Sequence, residues 1–195
     1  MERRFDLAWL VLWGVLSSVW CLTAASDLGA TFDEPFYLKA SMEGWRTGSN
    51  YELMRVGTMP LPLDVEYLPL YLYEQVRGKP FNLDADFYTL LRCARVGNLV
   101  FWWLLLSYGY LLARRFGGVW AGRIAVLLLA TEPNLLGHAC LATTDIAITA
   151  MIVVFAYHYH QGRDALQRWQ RWVLPGILYG LAMATKASAL TFVPQ

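Results

Sequence analysis

Charge is what this chain has least of. Only 16% of its 195 residues are Asp, Glu, Lys or Arg, and 57% are hydrophobic, against roughly 25% and 45–50% in soluble domains. That balance excludes an ordinary soluble globule and points to a membrane protein. The formal net charge of +1 leaves no broad basic surface, which excludes nucleic acid as a partner. Cysteine is scarce as well. Cys21, Cys93 and Cys140 fit no metal-ligand or disulfide spacing and are assigned no role. There is no Gly-rich phosphate loop, hence no sign of nucleotide chemistry, and no internal repeat or low-complexity tract.

What the chain does have is apolar runs. A spanning helix needs about 20 largely apolar residues, and about five stretches approach this: residues 7–25, 96–113, 119–137, 145–160 and 173–193. The third reaches Glu132 and Pro133 early, so Arg123 is expected to snorkel and residues 133–138 to be irregular. The expected fold is an all-α, multi-span transmembrane bundle forming a single domain over residues 1–195. Arg3 and Arg4, a long apolar core and the small residues Thr23, Ala24 and Ala25 also match the outline of a signal peptide. The core exceeds the usual 7 to 15 residues, however, which favours an uncleaved anchor.

Arginine orients the spans. Arg3, Arg4, Arg114, Arg115, Arg123, Arg163, Arg168 and Arg171 fall in alternate short connections, whereas residues 132–145 hold no Lys or Arg. By the positive-inside rule the amino terminus is cytoplasmic and residues 26–92 form a long outer loop. Within that loop residues 36–45 and 67–76 read as short interfacial helices, with Phe36, Tyr37, Ala40 and Trp45 available to the bilayer surface and Met59, Pro60, Leu61 and Pro62 interrupting between them.

Against this apolar background the few charges at membrane depth stand out, because such groups are costly and mark functional sites by default. Asp33 and Glu34, in TFDEPFY, follow the first span. Glu132 closes the third, Asp145 opens the fourth in LATTDIAIT, and Lys186 lies inside the fifth in GLAMATKASAL. All map to the outer half of the bilayer. An ammonium there needs an anion, supplied either by a ligand or by an internal pair with Asp145 or Glu132.

The order of these elements carries a resemblance. An acidic pair after the first helix, then ARVGNLVFWWLLLSYGYLLARRFGG, EPNLLGHACLATTDIAITA and GLAMATKASAL, resembles bacterial polyprenyl-phosphate-dependent glycosyltransferases of the type C fold, which include protein O-mannosyltransferases and lipid A aminoarabinose transferases. Two departures accompany it. The His-Pro-Pro-Leu string common in the family's first outer loop has its nearest equivalent in Met59, Pro60, Leu61 and Pro62, without the histidine. Family enzymes also have about twice as many spans or more, so the chain is expected to be the amino-terminal part of a longer enzyme.

The resemblance implies a sugar donor linked through phosphate to a polyprenol, and a protein, lipid or glycan acceptor at the outer face of a bacterial inner membrane. Asp33 would be the general base for an inverting attack, with Glu34 orienting it or binding acceptor. Lys186, with Arg95 as the second candidate, would bind the departing lipid phosphate, and Asp145, His138 and Glu132 would support the site. No cofactor is assigned. His138 and the carboxylates leave a divalent metal open, though their spacing matches no metal motif. Two readings from other classes also stay open: a transporter with intramembrane charges, or a noncatalytic truncated membrane protein.

Overall fold

A computed structural model of the chain describes residues 2–192, so Val193, the last residue of the expected fifth span, lies outside the described part. The described residues are helical, with no strand among them. The elements are α1 (Glu2–Asp27), α2 (Glu34–Thr47), α3 (Tyr51–Met54), α4 (Leu61–Arg77), α5 (Phe87–Thr131), α6 (Pro133–Ala139), α7 (Thr144–Arg163) and α8 (Leu174–Thr185).

Helix α5 is two arms joined by a sharp reversal. At Gly118 the backbone takes φ 76°, ψ −169°, a region open to glycine and closed to most L side chains. The two long-range partners of α1 define the direction of each arm. Asp6, Ser17 and Ala25 of α1 meet Arg114, Trp102 and Arg95 in turn, so the first arm runs antiparallel to α1. Trp9 Nε1 donates to Arg123 O at 3.0 Å near the start of the second arm, and Cys21 approaches Leu136 O of α6 just past its end, so the second arm runs parallel to α1. The arms pack closely, since a side chain on Gly122 would collide with the Tyr110 ring.

Two tryptophans of the first arm find their partners on α1, as an apolar medium favours, whereas the buried Trp13 Nε1 has none among the described residues. Trp102 Nε1 donates to Ser17 Oγ at 2.9 Å and Trp103 Nε1 to Ser18 Oγ at 3.1 Å. Arg123 does not simply snorkel. It is mostly buried, pairs with Asp6 through Nη2 at 2.8 Å, and lies over the Phe5 and Trp120 rings.

Among the described residues two helices, α1 and the two-armed α5, are long and apolar enough to cross a membrane, and α6 with α7 makes a third candidate if the bent pair counts as one span. The expected apolar runs are interrupted at two places. The third run stops at Thr131 because Glu132 turns extended and caps a new helix. Its Oε2 accepts the Leu135 amide at 2.7 Å, and α6 then meets α7 at 115°. Residues 133–138, expected to be irregular, are thus mostly a short helix with Pro133 at its favoured first position. The fifth run breaks at Lys186, which is extended (φ −162°, ψ 135°) between the 12-residue α8 and a 3₁₀ turn, Ala187–Phe192.

The segment between α1 and α5 is more ordered than a pair of surface helices. Leu38 and Met42 of α2, Leu53 of α3, and Leu63, Tyr67 and Leu70 of α4 form a core of their own with Leu90, Leu91 and Ala94 of α5. Ala40 is buried, and Trp45 stacks on Tyr71 and donates to Asp64 O at 3.1 Å. Their buried apolar residues therefore pack on each other and on α5, while Leu72, Tyr73 and Val76 of α4 stay exposed. Pro60 and Pro62 begin α4 instead of interrupting the chain. Helix α4 rests directly on α5 at Gly97, where any Cβ would lie 2.5 Å from Glu66 O.

Candidate active site

The Asp33–Glu34 pair is divided by the start of α2. Asp33 is the N-cap residue and Glu34 the first helical one, and successive side chains on a helix point about 100° apart. Asp33 faces outward, exposed, and its side chain makes no capping bond. Glu34 turns inward and is fully buried.

Glu34 meets Arg95 in a two-pronged pair, with Nε to Oε1 at 2.8 Å and Nη2 to Oε2 at 2.7 Å. Arg95 gives its remaining donors to the carbonyls of Ala25, Leu28 and Gly29 at 2.8, 3.0 and 2.8 Å. All five guanidinium hydrogens are then engaged, and the side chain is 1% exposed. Glu34 also accepts the amides of Thr31 at 2.8 Å and Ala142 at 2.9 Å. Burial pushes its carboxyl up, but the Arg95 fork and those two amides outweigh it and hold the group below the usual carboxylate range. This knot joins the end of α1, the start of α2, α5 and the α6–α7 connection.

A second ion pair at the same end of the bundle is open. Lys186 Nζ lies 2.6 Å from Asp145 Oδ1, with the two side chains 43% and 39% exposed. His138 Nδ1 lies 3.5 Å from the other oxygen of Asp145. Of the two internal partners expected for Lys186, the structure brings Asp145 and not Glu132, which serves as the cap of α6 and binds Asn134 at 3.0 Å. Asn98 fixes the bend carrying His138 and Asp145 by donating to Leu141 O at 2.6 Å.

Tyr37 sits one turn into α2, its amide donating to Asp33 O at 2.9 Å. Burial, joined by the charges of Asp33 and Asp145, raises its phenol above the ordinary value, while Thr58 and the Lys186 ammonium pull it down. One phenol thus feels Asp33, Lys186 and Asp145 together. Behind it, Tyr67 and Glu66 are fully buried, and neither the Tyr67 hydroxyl nor either Glu66 oxygen has a partner among the described residues. Burial, with the Glu34 charge adding to it, drives the Glu66 carboxyl well above its ordinary value. Sequence reasoning named Tyr37 only as a surface aromatic and passed over Glu66 and Tyr67. A carboxylate inside the apolar run LPLDVEYLPLYLY was the available signal.

Among the described residues no three His, Cys, Asp or Glu side chains are gathered closely enough to hold a metal ion. The three cysteines are unpaired, with Cys21 and Cys140 buried and Cys93 exposed.

A helical bundle with membrane-span candidates, a cap built from α2, α3 and α4, and a half-open ion pair suits a type C membrane glycosyltransferase, and a family comparison supports that class. The family model for dolichyl-phosphate-mannose-protein mannosyltransferases matches residues 89–195, and the chain belongs to that family. It is therefore an integral membrane protein of a polyprenyl-phosphate-dependent glycosyltransferase group, whose general reaction joins a lipid-linked sugar to a protein acceptor. Arg95, Glu132, His138, Asp145 and Lys186 lie within the matched segment, while Asp33 and Glu34 precede it. Comparison with curated proteins and with solved structures gives no match.

Proposed function

We propose that this chain takes part in inverting sugar transfer from a polyprenyl-phosphate donor to an acceptor hydroxyl at the outer membrane face, with Asp33 as general base and Lys186 as the lipid-phosphate cation. The observation that carries the reading is the half-open Lys186–Asp145 pair, with both side chains about two-fifths exposed. A cation with a free side and a breakable partner is available to a phosphate. In the step proposed, Asp33 takes the proton of the acceptor hydroxyl as its oxygen attacks the anomeric carbon. The bond from that carbon to the phosphate oxygen breaks, the electron pair leaves on the lipid phosphate, and the Lys186 ammonium stabilises the charge it gains. Asp145 and His138 hold Lys186 in place when no donor is bound.

Glu34 and Arg95 are given a different part in this reading. With every donor of Arg95 already used, the pair is scaffolding that sets the angle of α2 and hence the position of Asp33, rather than an acceptor or phosphate site. The 2.6 Å contact also favours a second reading, in which Lys186 serves only as Asp145's structural partner.

Transfer from a polyprenyl-phosphate sugar by Asp33→Asn tests the base. A loss of about 10² or more in turnover, the usual scale for general base catalysis, with donor binding kept, is expected. Near-normal transfer excludes Asp33. The orientation is tested by impermeant labelling in a cysteine-free background at Ser49 and Gln167, both exposed. Labelling at 49 alone in intact cells is expected, and labelling at 167 alone overturns it.

A further inference from the structure

At the opposite end of the bundle a cleft of about 1000 Å³ opens between α1, the first arm of α5 and α7. Its rim carries Arg3, Arg4, Arg114 and Arg115, and its wall is Leu7, Leu10, Leu111 and Tyr157. The one carboxylate in the lining, Asp6, is already shared by Arg114 and Arg123. Among the described residues Arg3 and Arg4 have no ion-pair partner, and both are exposed. Leu7 is 62% exposed, so the apolar wall opens sideways where lipid chains run.

From this pairing of a cationic rim with an apolar wall we infer that the cleft is a binding site for one anionic glycerophospholipid, its phosphate on Arg3 and Arg4 and its acyl chains along Leu7, Leu10 and Leu111. A free phosphate would leave the wall unused, and a zwitterionic lipid would leave the excess positive charge unanswered. Guanidinium groups suit a phosphate through two parallel hydrogen bonds. The site is distinct from the donor position proposed above, which lies at the other end of the helices, and does not depend on it.

The test uses the full chain in phosphatidylcholine nanodiscs doped with phosphatidylglycerol, with retained lipid read by native mass spectrometry. Both nanodisc faces are open, so a change of insertion direction does not affect the result. Phosphatidylglycerol should be retained in preference to phosphatidylcholine. An arginine near an anionic lipid is worth about 1 kcal/mol, so removing two in Arg3→Gln/Arg4→Gln should weaken retention about tenfold or more. Arg163→Gln/Arg168→Gln removes the same charge at the same end but outside the cleft, and should change little. Equal loss in the two double variants, equal retention of the two lipids, or displacement by inorganic phosphate at the lipid's own concentration would each overturn the inference. Displacement by polyprenyl phosphate below the phosphatidylglycerol concentration would overturn it too, by making the cleft a donor-lipid site. Should Arg3→Gln/Arg4→Gln fail to fold, Leu7→Asp must produce the same loss, and full retention by that variant counts against the site.

Discussion

Two ion pairs sit at one end of this bundle and differ in every respect that matters for chemistry. Glu34–Arg95 is sealed, two-pronged, and supplemented by three carbonyls and two amides. Lys186–Asp145 is joined by one short contact and is about two-fifths exposed on each side. A buried charge with no free valence cannot greet a ligand without abandoning a partner, and losing that partner in low dielectric is expensive. A half-exposed pair gives up little when a phosphate replaces its carboxylate, because water already screens it. Both are Lys or Arg with Asp or Glu. The surroundings alone assign them different work.

The largest effect that sharpens this contrast is expected from the sealed pair. Arg95→Met leaves Glu34 charged and buried, which should cost about 3–5 kcal/mol and appear as loss of monodisperse protein or a large fall in thermal midpoint. Stable Arg95→Met protein that fails only in donor use would return Arg95 to the phosphate site. The Glu34 contribution also depends on pH. Its folded pKa lies below the ordinary value, so the stability it supplies is full above the unfolded value of about 4.3 and is lost as pH falls through the lower folded value. Thermal unfolding between neutral pH and the acid range should show that loss in the parent chain and not in Glu34→Gln.

Asp33→Asn should come next. Its effect of about 10² on turnover corresponds to roughly 2.7 kcal/mol of transition-state stabilisation. Because Asp33 is exposed and caps no amide, the thermal midpoint should hardly move. A large stability loss would make Asp33 a structural residue like its neighbour.

Glu66 offers a smaller and opposite test. Its folded pKa is raised, so above the unfolded value of about 4.3 folding must keep a proton the unfolded chain has released, and stability falls as pH rises toward the folded value. Glu66→Gln removes that cost. It should be about 1 kcal/mol or more stabler than the parent at pH 8, with the difference shrinking toward pH 4. A destabilised Glu66→Gln at pH 8 would mean that the carboxylate has a partner the described residues do not supply.

The sequence made some of this readable. Scarce charges pointed to the Lys186–Asp145 pair, because an ionisable group in an apolar run has few innocent explanations. Arg114 and Arg115 between two apolar runs separated what the structure shows as the two arms of α5. Other features could not be read. Glu34 and Arg95 are 61 positions apart, and no local pattern says that the first helical turn of α2 sends one carboxylate in and its neighbour out. The break at Lys186 was hidden because Ala, Ser and Leu around it suit a helix well. The apolar faces of α2 and α4 looked interfacial for a similar reason. A hydrophobic stripe shows that something covers it, not whether lipid or another helix does.

The central claim is that Lys186 is available to a ligand while Arg95 is not, and it is tested most directly by Lys186→Met alone and with Asp145→Asn, comparing the donor KM with the thermal midpoint. The account predicts a donor KM raised about tenfold, the size of one lost charge-assisted contact, a midpoint close to the parent's because the pair is solvent-screened, and no recovery of donor use in the double variant. Loss of folded protein in Lys186→Met, restored when Asp145 is also neutralised, would contradict it and make the pair structural.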